Sequence, residues 1–134
     1  MRNRNRDLIR RFYEELWNSF NKRKIPELLT DNIKFRGSLG EEKFGHSGFA
    51  EYLDKIQAAF PDFTNHVEEI ISEDDGAFAR LTYLGTILGI PPTGYRVEYA
   101  GAAVFHFYGE KIAEVWVLGD IHGLLQQLRG LGYV

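Results

Sequence analysis

The sequence predicts an α+β fold in which a curved, mostly antiparallel sheet covers a set of helices. Two patterns support this class: apolar residues recur at helical spacing in the first part of the chain, and then alternate along segments separated by turn residues. At 134 residues, with 44% hydrophobic and 26% charged side chains, the chain resembles one globular domain over residues 1–134. Aromatic residues make up 14%, which suits either a ring-filled core or a ring-lined cavity.

The N-terminal part predicts three helices. In the first, apolar residues recur at helical spacing over residues 8–20. Pro26 suits the first turn of a short second helix. A short strand over residues 33–36 and a glycine-punctuated loop follow, and a third helix covers roughly residues 49–59, where Pro61 prevents its continuation.

The second half of the chain predicts four strands, over residues 67–71, 77–87, 95–107 and 111–118. Asp75-Gly76 suits a tight turn in the first hairpin, and Gly109-Glu110 suits one in the second. The Pro-Pro-Thr-Gly segment at 91–94 reverses the chain between the hairpins. A short amphipathic helix over residues 124–128 closes the fold, which places helices and an antiparallel sheet in separate layers.

Composition and charge exclude several classes of function. The formal net charge is -3, and the arginines within residues 2–11 are interrupted by Asn3, Asn5 and Asp7, which argues against a nucleic-acid partner. The absence of cysteine excludes disulfides and thiolate metal sites, and no histidine has the spacing of a metal site. No segment has the apolar run of a signal peptide or a membrane span, so we expect a cytoplasmic protein with no membrane partner.

Asp120 is the candidate acid/base. If residues 109 and 110 form a two-residue turn, strand pairing places Tyr99 opposite Asp120, and alternation puts Asp120 on one face with Trp116 and Leu118. A carboxylate beside these apolar side chains would lose water, which should raise its pKa and let it exchange a proton near neutral pH. The alternative is a helix N-cap, because Asp is favoured immediately before a helix.

Other polar residues give weaker predictions. His66 shares a predicted strand face with Glu68 and Ile70 and is a second candidate for a pocket. Arg80 and Glu69 are expected to form an ion pair across the first hairpin. No nucleotide-binding glycine fingerprint, nucleophile elbow or zinc motif is present, which leaves cofactor-free proton transfer as the chemistry to consider.

Several stretches, taken in order, resemble the SnoaL-like polyketide cyclases of the nuclear-transport-factor-2-like superfamily. They are RFYEELWN (11–18), AFPDF (59–63), GT (85–86), PTG (92–94), KIAEVW (111–116), and Asp120 followed by GLLQQL (123–128). The resemblance covers nearly the whole chain. It implies a cone-shaped α+β barrel in which a strongly bent sheet wraps around three N-terminal helices and a short C-terminal helix and encloses a pocket.

The resemblance also implies an activity. Asp120 would be the acid/base in an intramolecular aldol-type ring closure of a hydrophobic, carbonyl-rich polyketide ester, with no metal or organic cofactor. Homodimers or homotetramers would form through the outer sheet face. In this hypothesis the pocket is lined by Tyr13, Trp17, Phe60, His66, Tyr99, Trp116 and Leu118. The alternatives are a non-catalytic small-molecule-binding or assembly module of the same fold, and an enzyme like an epoxide hydrolase or isomerase.

Overall fold

Helices and strands occupy most of the described chain, which in this computed structural model comprises residues 2–38, 40–86 and 96–130. The helical elements are α1 (Arg2–Arg11), a π-helical segment (Phe12–Asn18) that continues it, a 3-10 turn (Lys22–Lys24), α2 (Ile25–Leu28), α3 (Gly45–Ala59) and α4 (Ile121–Gly130). The strands are β1 (Leu29–Arg36), β2 (Glu42–Phe44), β3 (Thr64–Ser72), β4 (Gly76–Thr86), β5 (Arg96–Tyr108) and β6 (Lys111–Gly119). The chain reversal expected at 91–94 lies outside the described residues.

The strands form one sheet in the order β2-β1-β6-β5-β4-β3. All neighbouring pairs are antiparallel except β1 and β6, which run parallel. The π-helical segment packs on the inner face of this sheet. There the rings of Phe12 and Phe105 contact each other edge to face, with their centroids 5.6 Å apart. The arrangement confirms the α+β cone with a mostly antiparallel sheet. None of the described helices is both long and apolar enough to span a membrane.

A bulge in β6 changes which side chains face the core. The turn after Tyr108 has the expected two residues, since Tyr108 pairs with Lys111, but Ala113 is an extra residue in the ladder. Beyond it Trp116 pairs with Val104, whereas an unbroken ladder would pair it with Ala103. A one-residue shift turns every later side chain to the opposite face.

The β6 bulge corrects two predicted pocket residues. Trp116 and Leu118 lie on the outer face of the sheet, 42% and 53% exposed. The inner face of the same strand carries Val115 and Val117, which are buried. The expectation that Trp116 and Leu118 line the pocket is therefore wrong.

A second bulge, in β3, has the same effect. Val67 pairs with Leu81 and Glu69 pairs with Arg80, so Glu68 is an extra residue. The Arg80 Nε lies 3.4 Å from a Glu69 carboxylate oxygen, which confirms the expected ion pair, although the two residues are directly opposite rather than diagonal.

The turn of the first hairpin is also wider than expected. β3 ends at Ser72 and β4 begins at Gly76, so residues 73–75 connect the strands instead of Asp75-Gly76, and the Glu73 N–H donates to the Gly76 carbonyl at 2.8 Å. Three further elements were not expected from the sequence: the three-residue strand β2, the π-helical segment and the 3-10 turn. The buried residues of the π-helical segment recur four apart, a spacing that an α-helix also gives, so periodicity does not distinguish the two.

The core is centred on aromatic side chains that join the helices to β5. Phe12, Phe49 and Phe105 are essentially inaccessible to solvent, and each contacts at least one of the others. Buried rings of this size contribute strongly to stability because they remove large apolar areas from water.

Neighbouring residues in β5 test the inner and outer faces. Phe105→Ala should cost about 3–5 kcal/mol, because it empties a fully buried site. Val104→Ala, on the outer face, should cost less than about 1 kcal/mol. Urea unfolding of the two variants measures both values. If the two variants lost the same free energy of unfolding, or if Val104→Ala lost more, the assignment of Phe105 to the inner face and Val104 to the outer face would be wrong.

Candidate active site

An apolar cavity of about 140 Å³ lies between the helices and the inner face of the sheet. Aromatic side chains form most of its wall: Phe12, Tyr13, Trp17, Phe35, Tyr52, Phe60, Phe63, Tyr83 and Tyr99. The remaining lining residues are Ser38, Ile56, Asn65, Val117 and Leu124. The volume is smaller than the roughly 300 Å³ typical of a whole ligand site but close to that of a cavity of about 150 Å³ that holds benzene. It can therefore enclose one ring of a larger molecule.

The π-helical segment supplies one side of the wall. It directs Tyr13 and Trp17 into the cavity, both nearly inaccessible to solvent at 3% and 5% exposure. The Trp17 ring packs against Phe35 and Tyr52, with centroids 6.0 Å away in each case. Isolated π-helical turns occur often at functional sites.

Two glycines make room for tyrosines in the wall. A Cβ atom on Gly101 would overlap the Tyr83 ring, and one on Gly37 would overlap the Tyr52 hydroxyl. The Tyr83 ring in turn lies 5.0 Å from that of Tyr99. The absence of side chains at these two positions thus lets tyrosines lie close to the neighbouring backbone.

Phe60 reaches the cavity from the segment that follows α3. This segment is tied to the end of β4 by Asp62, whose carboxylate accepts hydrogen bonds from the Thr86 hydroxyl at 2.5 Å and the Thr86 N–H at 2.8 Å. The hydroxyl bond is the main reason that the pKa of Asp62 is lowered. Asp62 therefore organises local backbone beside Phe60.

The phenols in the wall are neutral at physiological pH. Burial raises the pKa of Tyr13 well above 10.0, with a smaller contribution from Tyr83. Burial likewise raises the pKa of Tyr83, and that of Tyr52 to about 12. It also raises the pKa of Tyr99, against the opposing effect of a hydrogen bond with Ser38. These hydroxyls can donate hydrogen bonds, but they cannot act as bases near neutral pH.

Asp120 lies at the rim of the cavity, directly after β6. The preceding residue, Gly119, is close to two lining residues: a Cβ there would be 2.9 Å from the Ser38 Cβ and 3.4 Å from the Tyr99 ring. The backbone carbonyl of Asp120 also accepts from the N–H of Leu124, another lining residue, at 3.1 Å. The backbone of Asp120 is thus adjacent to the cavity.

The side chain of Asp120 is exposed to solvent. Its Oδ1 accepts a hydrogen bond from the Gly123 N–H at 2.9 Å, so the N-cap alternative is confirmed. The expectation that Asp120 is withdrawn from water beside Trp116 and Leu118 is wrong, because the β6 bulge places that face outside. Within the described ranges, no hydrogen bond engages Oδ2.

His66 is exposed and does not reach the apolar cavity. It lines a separate polar cleft together with Arg10 and Glu14. The β3 bulge explains the difference from the prediction, since it turns the preceding residue, Asn65, inward instead. Among residues 2–38, 40–86 and 96–130 no group of three or more potential metal ligands occurs.

Several lining residues were missed in the sequence. Tyr52 lies at helical spacing between Phe49 and Ile56, and Tyr83 alternates with Leu81, so periodicity could have identified both. Asn65 could not be found in this way, because a bulge three residues later decides which face it shares with the apolar residues of β3.

The fold and the site define a class of small α+β cones with an apolar, aromatic-lined cavity between the sheet and the helices. The sequence model of the SnoaL-like polyketide cyclase family matches residues 7–128. The chain belongs to this family, and the resemblance seen in its motifs is confirmed. None of the curated proteins compared with the chain matches it.

Solved structures from three bacteria share the fold. A candidate polyketide cyclase from Acidithiobacillus ferrooxidans is 24% identical, with 95% of each chain covered and a TM-score of 0.82. IdmH, a candidate polyketide cyclase from Streptomyces antibioticus, is 26% identical over 92% of this chain and 96% of its own, with a TM-score of 0.80. A SnoaL-like polyketide cyclase from Agrobacterium tumefaciens has the same identity and coverage, with a TM-score of 0.78.

Alkaline pH should destabilise the protein through the buried phenols. Above pH 10.0 the unfolded chain ionises its tyrosines while the fold keeps Tyr13 and Tyr52 protonated, so stability is full below that pH and falls as the pH rises through about 12. Each such group should contribute about 1.4 kcal/mol per pH unit in this window. Urea unfolding at a series of pH values measures the slope.

Single substitutions provide the control for this pH dependence. Tyr13→Phe should reduce the alkaline slope, whereas Tyr108→Phe should leave it unchanged, because Tyr108 is 79% exposed in the folded protein. An alkaline slope that is the same in both variants would show that the buried phenols are not its source.

Proposed function

We propose that the protein is a cyclase that closes a ring in a hydrophobic, carbonyl-rich small molecule, with Asp120 as its acid/base and without a cofactor. The observation that carries the proposal is an apolar, aromatic-lined cavity whose lining residues Ser38, Tyr99 and Leu124 lie beside the backbone at Asp120. One ring of the substrate would occupy the cavity. The rest would extend past Ser38 and Tyr99 towards Asp120.

The chemistry would be an intramolecular aldol reaction. Asp120 would remove a proton from the carbon alpha to a carbonyl, and the enolate carbon would attack a second carbonyl of the same molecule. The protonated Asp120 would then return the proton to the new alkoxide. The flanking carbonyls of a polyketide delocalise the carbanion, so this sequence of steps balances without a metal or an organic cofactor.

The exposure of Asp120 in the free protein is compatible with this role. A substrate that lies over the rim would displace water from the carboxylate, and loss of water makes a carboxylate a stronger base. Oδ1 can continue to accept the bond from Gly123 while Oδ2 transfers the proton. Capping and catalysis would thus use different oxygens.

A non-catalytic ligand-binding module is the second candidate function. It is favoured by the chemistry of the wall, since none of the described lining residues is a carboxylate or a histidine. Such a cavity can hold an apolar guest without transferring protons. The two candidate functions therefore differ in whether Asp120 transfers a proton to and from the bound molecule.

Asp120→Asn separates catalysis from capping, because Asn caps a helix about as well as Asp but does not act as a base. We expect the wild type to accelerate the exchange of the methyl protons of acetophenone with deuterium from heavy water, a reaction that reports proton removal alpha to a carbonyl. The exchange rate with the variant should be at least about 100-fold lower than with the wild type, because this is the usual contribution of a general base. Nuclear magnetic resonance measures the exchange.

Asp120→Ala is the companion variant. It should lose the exchange activity and also about 1 kcal/mol of stability, because it removes the cap. A folded Asp120→Asn protein that exchanges as fast as the wild type would rule out Asp120 as the base and favour the ligand-binding module.

The outer face of the sheet is proposed as the contact with a second copy of the chain. Trp116 and its neighbour across the ladder, Val104, are both exposed there, and Leu118 continues the apolar surface. The guanidinium of Arg36 lies 4.7 Å from the centroid of the Trp116 ring, which holds that ring in place. Pairing two such faces would bury apolar area that a monomer leaves in water.

Leu118→Glu should convert the homodimer or homotetramer into monomers, since it would bury a charge in the contact. Light scattering coupled to size-exclusion chromatography measures the mass. Leu125→Glu is the matched control, because Leu125 is also exposed but lies on α4, away from the sheet face. A wild-type protein that is monomeric, or a Leu118→Glu protein that remains oligomeric, would contradict the proposal.

A further inference from the structure

Two buried hydrogen-bond donors on the cavity wall lack a partner. The Tyr13 hydroxyl and the Asn65 side-chain nitrogen are each inaccessible to solvent, and neither has a hydrogen-bond partner within the part of the chain that the structure describes. The residues are only 3% and 5% exposed. Buried donors are nearly always paired in folded proteins because an unpaired one is costly. The pair therefore indicates a place where an acceptor binds.

The two residues that carry these donors lie on neighbouring elements that are hydrogen-bonded to one another. Asn18, at the end of the segment that carries Tyr13, accepts from the Asn65 N–H at 2.7 Å and donates to the Asn65 carbonyl at 3.1 Å. Across the sheet Asn65 pairs with Tyr83, which also lines the cavity. The backbone of Asn65 is thus fixed to the helical segment, and its side chain is left on the wall of the cavity.

The chemistry of the wall defines the missing acceptor. A neutral phenol and an amide nitrogen both donate, and a carbonyl oxygen has two lone pairs with which it can accept from both. None of the described residues that line the apolar cavity is charged, so this cavity offers no cation for a carboxylate or a phosphate. Arg10 and Glu14 lie in the polar cleft on the other side, which Tyr13 and Asn65 also line. The surrounding rings favour an aromatic or otherwise apolar body attached to that carbonyl.

We propose that Tyr13 and Asn65 together bind one carbonyl oxygen of the guest molecule and make the cavity selective for ring ketones over hydrocarbons of the same shape. The inference rests on the proposed function only in requiring that a guest occupies this cavity. It assigns to Tyr13 a polar role in addition to packing, and it adds Asn65 and its support, Asn18, to the site.

A pair of probes that differ in one group tests the selectivity. Acetophenone and ethylbenzene have the same skeleton, but only acetophenone carries a carbonyl oxygen. Isothermal titration calorimetry should show that the wild type binds acetophenone more tightly. Tyr13→Phe and Asn65→Leu should each reduce the ratio of the two affinities roughly three- to tenfold, the usual effect of one lost hydrogen bond.

The thermal stability of the same variants separates recognition from structure. Tyr13→Phe removes an unpaired buried hydroxyl, so the unliganded variant should unfold at the same temperature as the wild type or higher. Tyr108→Phe is the control: it removes an exposed hydroxyl away from the cavity and should leave the affinity ratio unchanged.

The outcomes distinguish this inference from the proposed function. Binding of neither probe, equal binding of both, or a ratio that Tyr13→Phe and Asn65→Leu leave unchanged would overturn the carbonyl site. A carbonyl preference that depends on Tyr13 and Asn65 supports the site even if Asp120→Asn exchanges protons as fast as the wild type, in which case only the catalytic role of Asp120 fails.

Discussion

The structure depends on a sheet that bends far enough to enclose space, and two of the extra residues in its ladder, Glu68 in β3 and Ala113 in β6, decide which side chains of those strands face that space. The central pair, β4 and β5, is regular over its whole length, whereas β3 and β6 on either side each contain a bulge. Bulges bend a strand and increase its twist, and each also exchanges the inner and outer faces beyond it. The bulge in β3 brings Asn65 to the cavity. The bulge in β6 takes Trp116 away from it.

The same two residues explain how far the sequence could predict this protein. The class, the long strands and the order of elements follow from periodicity and turn residues, and the turn at Gly109-Glu110 is where the sequence places it. The faces do not follow, because a bulge depends on how the whole sheet closes rather than on local preference. His66 and Leu118 were therefore placed on the wrong sides by reasoning that was correct for an unbroken ladder.

The helical residues of the site were easier to predict than those on the strands. Tyr13 and Trp17 lie within the helix that apolar spacing predicts, and the π-helical turn that carries them leaves both on the inward face. Tyr99 and Phe60 also lie on the cavity wall. Whether a buried donor lacks a partner depends, in contrast, on three-dimensional packing. No pattern in the sequence therefore predicts the unpaired Asn65 side-chain nitrogen or the hydrogen bond between the Asn65 N–H and Asn18.

The polar groups in the cavity wall differ in charge from those at its rim. Inside, the phenols stay neutral because ionisation in an apolar enclosure is costly, so the wall can position a carbonyl but cannot remove a proton. A carboxylate placed there would itself be protonated or would require a buried cation. At the rim, the Asp120 side chain is exposed to water and accepts a hydrogen bond from the Gly123 N–H. Under the proposed function, the substrate would remove water from Asp120 only when it binds, so an exposed carboxylate and an uncharged cavity would be compatible within one site.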